Sequence, residues 1–404
     1  MGFASGSVSF RRFAVVGAGQ PKEIDQDLLD KLDTHALRPD ETGTSQEVEY
    51  GWSGGRHILD ASFSFEHNVF ADAVSFGMRV DRNKVPSELK KAYQQLEEDA
   101  AAATNPSGFI SKQQKRDMKE IVRGKIDDDL RSGRFRRSKL LPILWDIPSQ
   151  TLYCAASGAT QEQLIELFDR TFGLELQPLS AGSIALRLLE TRGRRRDYED
   201  SNPTRFVIGP DGESHRPEYP WVAKGPQPKD FLGNEFMLWL WHEAEENGGA
   251  IETDGDTNIT IFIDRSLDLD CAYGQTGKDS LRGDGPSRMP EARDALRTGK
   301  LPRKTGLLLD SHGQQYQFTF NPETFGFGST KLPEVPEADS PRVLFEERIG
   351  LLRELCKSVD AMYDAFLKTR ASASWEGRTA TIRKWVYQAP RMATPSAVAL
   401  AQEV

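Results

Sequence analysis

Three aspartates, Asp264, Asp268 and Asp270, sit close together in a stretch that mixes apolar and acidic residues. Carboxylates that alternate along a strand can hold a magnesium ion and activate water, the chemistry of a metal-dependent nuclease. The same pattern also describes the wet face of a half-buried strand. Val16-Gly17-Ala18-Gly19-Gln20 begins like a dinucleotide loop, but the third glycine is missing and Pro21 stands where a helix would open. The six histidines are scattered, with no HxxxH or HExxH spacing for zinc, and His312 reads as a polar turn residue. Neither GxSxG nor a P-loop occurs.

The more coherent pattern is cationic. One run holds Lys112, Lys115, Arg116, Lys119, Arg123, Lys125, Arg131, Arg134, Arg136, Arg137 and Lys139. A second comprises Arg192, Arg194, Arg195 and Arg196, and a third Arg297, Lys300, Arg303 and Lys304. The net charge is −9, yet the acids concentrate elsewhere, around 23–33, 97–99, 243–246 and 334–347. Segregated charge suits a body that holds a polyanion on one face. Lysine and arginine that neutralise phosphates release counterions, which gives sequence-independent affinity. No helix-turn-helix, zinc-finger or basic-zipper pattern indicates base readout. The ordinary alternative is a solvated helix face with internal pairs such as Arg116 with Glu120 and Arg123 with Asp127. Phe135, between arginines, is either an exposed wedge or an anchor for its turn. Arg192 to Arg196 reads equally as a binding patch or a loop.

The elements that must position these groups follow from periodicity. Strands are predicted at 7–16, 47–52, 73–80, 140–146, 151–155, 175–179, 259–263, 266–271, 305–310 and 315–320. Helices are predicted at 22–37, 86–103, 111–130, 161–172, 182–189, 234–246 and 291–298, with a short final one near 374–386. Asn105 to Gly108 breaks the charged pair of helices, and 190–230 and 274–290 read as loops. Phe345, Ile349, Leu352, Cys356, Val359, Tyr363 and Phe366 form three heptads, either a long helix laid on its own sheet or a coiled coil between subunits. The expected class is α+β, with mixed sheets flanked by helices. The segments are 1–84, a sheet lobe; 85–139, a charged helical pair with a basic finger turn; 140–190, a hairpin–helix lobe; 191–290, an insertion; 291–371, a β-hairpin lobe with the long helix; and 372–404, a tail.

Cys154, Cys271 and Cys356 lie far apart, which favours a reducing compartment over a disulfide framework. No apolar run reaches the roughly 18 residues of a membrane span, and the N-terminus lacks signal-peptide character. A cytoplasmic protein is expected.

Several stretches in order resemble the RdgC family of recombination-associated proteins. They are the opening strand; Gly51-Trp52 through the charged helices to Arg134-Phe135-Arg136-Arg137; Leu144-Trp145-Asp146 and Leu152-Tyr153-Cys154; the helix ending at Phe172-Gly173; Glu291 to Lys300 (EARDALRTGK) with its following hairpin; and the long C-terminal helix. The chain departs from the pattern in a longer stretch at 193–290 and an added tail from Arg370. The resemblance implies a horseshoe-shaped, multi-lobed subunit that dimerises into a ring around double-stranded DNA. It implies a nucleoid-associated homodimer that modulates recombinase access, without catalytic residues, cofactor or metal. It assigns a finger phenylalanine to Phe135 and a DNA-contacting lysine to Lys300 after Gly299. The nominated DNA-binding residues are therefore Lys115, Arg116, Lys119, Arg123, Arg134, Phe135, Arg136, Arg137, Lys139, Lys300, Arg303 and Lys304. Asp264, Asp268 and Asp270 remain the candidates for the nuclease alternative, and a protein-interaction module on the same fold is a third.

Overall fold

The computed structural model describes residues 2–38, 47–104, 111–207, 216–222, 228–254, 259–335 and 339–388. Among them the chain is mixed α+β, with eleven α-helices and thirteen strands. It divides into two bodies, one of residues 15–176 and one of 1–14 with 177–404.

The chain opens with β1 (Val8–Val16), whose residues through Ala14 belong to the second of these bodies. The body of residues 15–176 begins with α1 (Gln26–Thr34), shorter than its apolar spacing predicts because Asp25 caps it by accepting from the Leu28 amide. It continues with β2 (Val48–Ser53), α2 (Phe65–Asn68), β3 (Val69–Phe70), β4 (Ala73–Asn83), α3 (Ser87–Thr104), α4 (Lys112–Ser132), β5 (Arg136–Asp146), β6 (Thr151–Cys154) and α5 (Ala159–Phe172). The sheet runs β6-β5-β4-β2 in antiparallel ladders, with β3 on β4. Its core is aromatic: Trp145 meets Phe168 and Phe172 edge-on at 5.1 and 5.2 Å, and the Trp52 indole donates to Thr171 Oγ1 at 2.8 Å. That bond satisfies the one polar group of a fully buried tryptophan.

The other body resumes at Gln177 within β7 (Glu175–Pro178) and holds α6 (Ala181–Thr191), α7 (Arg195–Glu199), α8 (Phe231–Glu246), β8 (Ala250–Ile251), β9 (Ile259–Cys271) and β10 (Lys278–Gly283). After these come α9 (Pro290–Arg297), β11 (Lys300–Ser311), β12 (Gln314–Asn321), β13 (Gly326–Lys331), α10 (Pro341–Arg370) and α11 (Trp375–Tyr387). Its strands follow the order β10-β9-β11-β12-β13-β1. Helix α8 is apolar on nearly every side and is buried from Phe231 to Glu243. Gly233 lets it come close to a loop, since a Cβ there would lie 2.2 Å from the Pro322 carbonyl oxygen.

The predicted elements differ from this structure in informative ways. The two strands expected at 259–263 and 266–271 are one strand, β9, interrupted at Arg265, whose φ of 61° accompanies a shift in register against β11. The expected loops contain α7 and β10. Strand β13 escaped prediction because its glycines blur the alternation, and it pairs with β1 from the far end of the sequence. The heptad residues of α10 are buried within the chain: Tyr363 donates to the Ala181 carbonyl at 2.9 Å and Ser358 to Ser311 at 3.0 Å. Helix α10 therefore lies on its own body, and those heptads leave no free seam for a second subunit. The expected break at Asn105 to Gly108 falls outside the described residues. No described helix is long and apolar enough to cross a membrane.

Candidate nucleic-acid interface

Helices α3 and α4 pair antiparallel, tied by Lys125–Glu97 at 2.5 Å and by Tyr93 donating to Asp129 at 2.7 Å. That hydrogen bond is the main reason the Tyr93 phenol rises above its ordinary range. Ser111 and Gln114 form a capping box at the start of α4, and Gly133, in the left-handed region at φ 67°, ends it. Met118 and Leu130 are its buried residues. Lys112, Arg116, Lys119 and Arg123 recur at spacings of four, three and four, which lines them along one side of the helix, with Lys115 beside them. All five are exposed, and none forms an ion pair among the described residues. The pairs of the solvated-face alternative, Arg116–Glu120 and Arg123–Asp127, do not form, so these charges stay available to an external anion.

The handover from α4 to β5 sorts the next arginines by strand alternation. Arg137 and Lys139 share one face and are exposed, whereas Arg136 points to the other and pairs with Glu49 at 3.2 Å. On Arg136's side the sheet is buried and ionic, with Arg79 gripping Asp81 through bonds of 2.9 and 2.6 Å. Arg137 lies directly opposite Arg82 in the β4–β5 ladder, and Lys139 lies two register pairs along, opposite Val80. Like charges facing each other across a ladder repel, and an anion between them relieves that repulsion. Arg82, which also donates to Thr160 at 3.3 Å, was missed from sequence because the pairing that brings it to Arg137 is non-local.

Phe135 is half-buried, with the Arg134 guanidinium 5.5 Å from its ring centre. It sits where α4 ends and β5 begins and stands, as expected, in the turn that follows the charged helix. Gly133 stops the helix there, and β5 takes over at Arg136.

In the other body most nominated cations are already engaged. Lys300 was expected to be exposed, but it is buried, and its Nζ lies 2.6 Å from Asp279, because β11 begins there on one edge of β9 while β10, which carries Asp279, pairs with the other. Arg303 holds Glu323 at 2.8 Å and Asp270 at 3.3 Å and lies 4.5 Å over the Trp221 ring. Only Lys304 of that set is exposed and unpaired among the described residues. Arg192, Arg194 and Arg195 pair with Asp364, Asp197 and both Glu190 and Glu199, so this run is a helix, α7, with its approach, rather than an open loop.

The aspartates of the nuclease alternative are likewise taken. Asp268 meets Arg282 at 2.7 Å and Ser280 at 2.6 Å, Asp270 meets Lys278 at 3.1 Å, and Asp264 meets Arg265 at 3.4 Å. Burial raises the Asp268 carboxyl, but the bonds from Arg282 and Ser280 outweigh it and hold it below its usual range. The alternating burial of β9 is that of a half-wet strand. No group of three or more potential metal ligands occurs among the described residues. All three cysteines are buried free thiols, and burial pushes Cys154 up to about 12, far from a reactive thiolate. The glycines of Gly17-Ala18-Gly19 lead into a turn and not a helix, and the helix that follows is capped by a carboxylate, which repels a phosphate. No family model matches the chain, and no curated protein matches it.

Proposed function

We propose that this protein binds double-stranded DNA through its phosphate backbone, without sequence preference, as an RdgC-like clamp that limits recombinase access. One observation carries the reading: the exposed, unpaired cations along α4, continued by Arg137 and Lys139 beside Arg82. Such a surface neutralises phosphates and offers no donor–acceptor pattern for particular bases. The order of sequence stretches shared with the RdgC family supports the same reading and adds a two-fold dimer closed around DNA, within the nucleoid. The dimer contacts must come from surfaces other than the α10 heptads, which are spent inside the chain. Lys300 belongs to this interface only if it leaves Asp279, so the working site is Lys115, Arg116, Lys119, Arg123, Arg134, Arg137 and Lys139, with Arg82 added.

The test is a salt titration on unrelated duplexes, linear and circular. Similar affinities with a log–log slope of several units are expected. A flat salt response, or one strongly preferred sequence, overturns the proposal. Sedimentation showing only monomer at micromolar concentration, with DNA binding intact, removes the ring.

A further inference from the structure

A second cationic feature lies wholly in the other body and differs in kind from the α4 stripe. A cleft of about 640 Å³ is lined by residues from 202–205, by Arg216, and by Arg370 with one side of α11. Four guanidinium groups reach it, from Arg205, Arg216, Arg370 and Arg383, against a single lining carboxylate, Glu376. Arg370 is held in place: it donates to Glu235 at 2.8 Å and to the Asn202 carbonyl at 2.7 Å, with its guanidinium 5.1 Å from the Trp375 ring centre. Glu235 is wholly buried and also accepts from the Thr204 amide at 2.6 Å, so the floor of the cleft is fixed. Arg383 donates to the Arg205 carbonyl at 2.8 Å, which ties the two walls together. Arg205, Arg216 and Arg383 form no ion pair among the described residues.

Two buried polar atoms in the lining lack any hydrogen-bond partner, Arg205 Nε and Thr379 Oγ1. A phosphate oxygen in the cleft would give both a partner. A guanidinium offers a planar fork of donors that matches phosphate oxygens. Three guanidinium groups without a carboxylate partner among the described residues, one of them also bonded to a carbonyl, exceed what the single lining carboxylate can use. The volume falls within the range for small-molecule sites. Every lining residue also belongs to the two segments, 193–290 and the part beyond Arg370 inclusive, by which the sequence departs from the RdgC pattern.

We infer that this cleft binds a small molecule carrying two or more phosphate groups, with Arg205, Arg216 and Arg383 clasping the phosphates and Arg370 holding the floor. This site is separate in residues from the proposed DNA interface and does not depend on it.

The experiment is calorimetric titration of the full-length protein with inorganic pyrophosphate, and in parallel with ATP and orthophosphate. Pyrophosphate is expected to bind with a micromolar constant and at least tenfold more tightly than orthophosphate. Tighter ATP than pyrophosphate identifies a nucleoside as the source of the phosphates, and equal binding identifies the polyphosphate alone. Arg216→Glu, at an exposed position with no ion pair among the described residues, is expected to weaken pyrophosphate at least tenfold while the protein keeps its melting temperature and its salt-dependent duplex binding. Lys115→Ala with Lys119→Ala is expected to do the reverse. The inference is overturned by absence of pyrophosphate binding at millimolar concentration, by unchanged binding in the folded arginine variant, or by short duplex DNA competing with pyrophosphate for the cleft. The last outcome assigns the arginines to nucleic acid. Failure of duplex binding in the wild-type chain, with pyrophosphate still bound, removes the proposed function and leaves the cleft.

Discussion

The Lys112–Lys139 run and the Arg192–Arg196 run look alike as sequence, dense in cations with acids interspersed. In the structure they are opposites. Along α4 the acids form no ion pair with the basic side of the helix among the described residues, although Glu120 and Asp127 stand four residues from Arg116 and Arg123, and Lys125 is the residue that finds a carboxylate, on α3. Around α7 the arginines close pairs at i+3 and i+4 and reach Asp364 and the Ala371 carbonyl on and just beyond α10. A cation held by its own protein has little left to offer a phosphate, whereas an unpaired exposed one carries only counterions to be released. Charge density in sequence therefore locates cations without telling which are free.

The sharpest way to break this contrast is to remove equal charge from each run. Replacing Lys115, Arg116, Lys119 and Arg123 by alanine is expected to weaken duplex binding by about a thousandfold at about 0.15 M salt and to lower the log–log slope by three to four units, at roughly 0.9 per phosphate contact. Replacing Arg192, Arg194, Arg195 and Arg196 is expected to leave affinity nearly unchanged and lower the melting temperature. Fluorescence anisotropy across a salt series reads both, and equal losses of affinity abolish the distinction.

Arg293 represents the extreme of the engaged class. It is buried, its guanidinium lies 3.4 Å from the Trp385 ring centre, and it is paired with Glu245. Burial pushes the Glu245 carboxyl up despite that pairing and the bonds from Trp241 and Trp385. Arg293→Met leaves this carboxylate without its cation and is expected to cost about 3–5 kcal/mol. Urea unfolding measures it, and a loss under about 1 kcal/mol shows that the buried pair contributes little.

Phe135 sharpens the contrast at the border between helix and sheet. As a half-buried residue of the turn, Phe135→Ala is expected to cost roughly 1–2 kcal/mol, a few degrees in the melt, with duplex affinity of the folded protein changed by no more than about threefold. An unshifted melt with a large loss of DNA binding would restore it as a wedge.

The smallest effect belongs to Lys300. Breaking its pair with Asp279 is expected to cost about 1 kcal/mol or less and to leave the salt slope unchanged. A slope lower by about one unit in Lys300→Ala returns it to the interface.

Much of the architecture was legible because it is local. Apolar spacing located α5, α8, α9 and α10, and alternation located β4, β5, β11 and β12. The two-residue turn His312-Gly313, both in the left-handed region at φ 54° and 76°, closes the predicted β11–β12 hairpin in the way such hairpins prefer. The heptads of α10 fixed its buried stripe but not what covers it, since an apolar stripe accepts any apolar surface. The site was legible only in part. Residue type and helical spacing placed Lys112, Arg116, Lys119 and Arg123 on one side of a helix.

Whether a charge is free depends on which acids the fold delivers to it, and those come from far away in sequence: Asp279 to Lys300, Glu323 to Arg303 and Asp364 to Arg192. Ladder register likewise set Arg82 opposite Arg137, and the packing of α11 gathered Arg205, Arg216, Arg370 and Arg383 around one cleft. The sequence by itself determined the strongly periodic elements and the sign of their charge, because helix and strand periods act over a few residues. Tertiary structure alone decided which charges are spent and which remain, because Coulomb attraction and hydrogen bonding act through space and not along the chain.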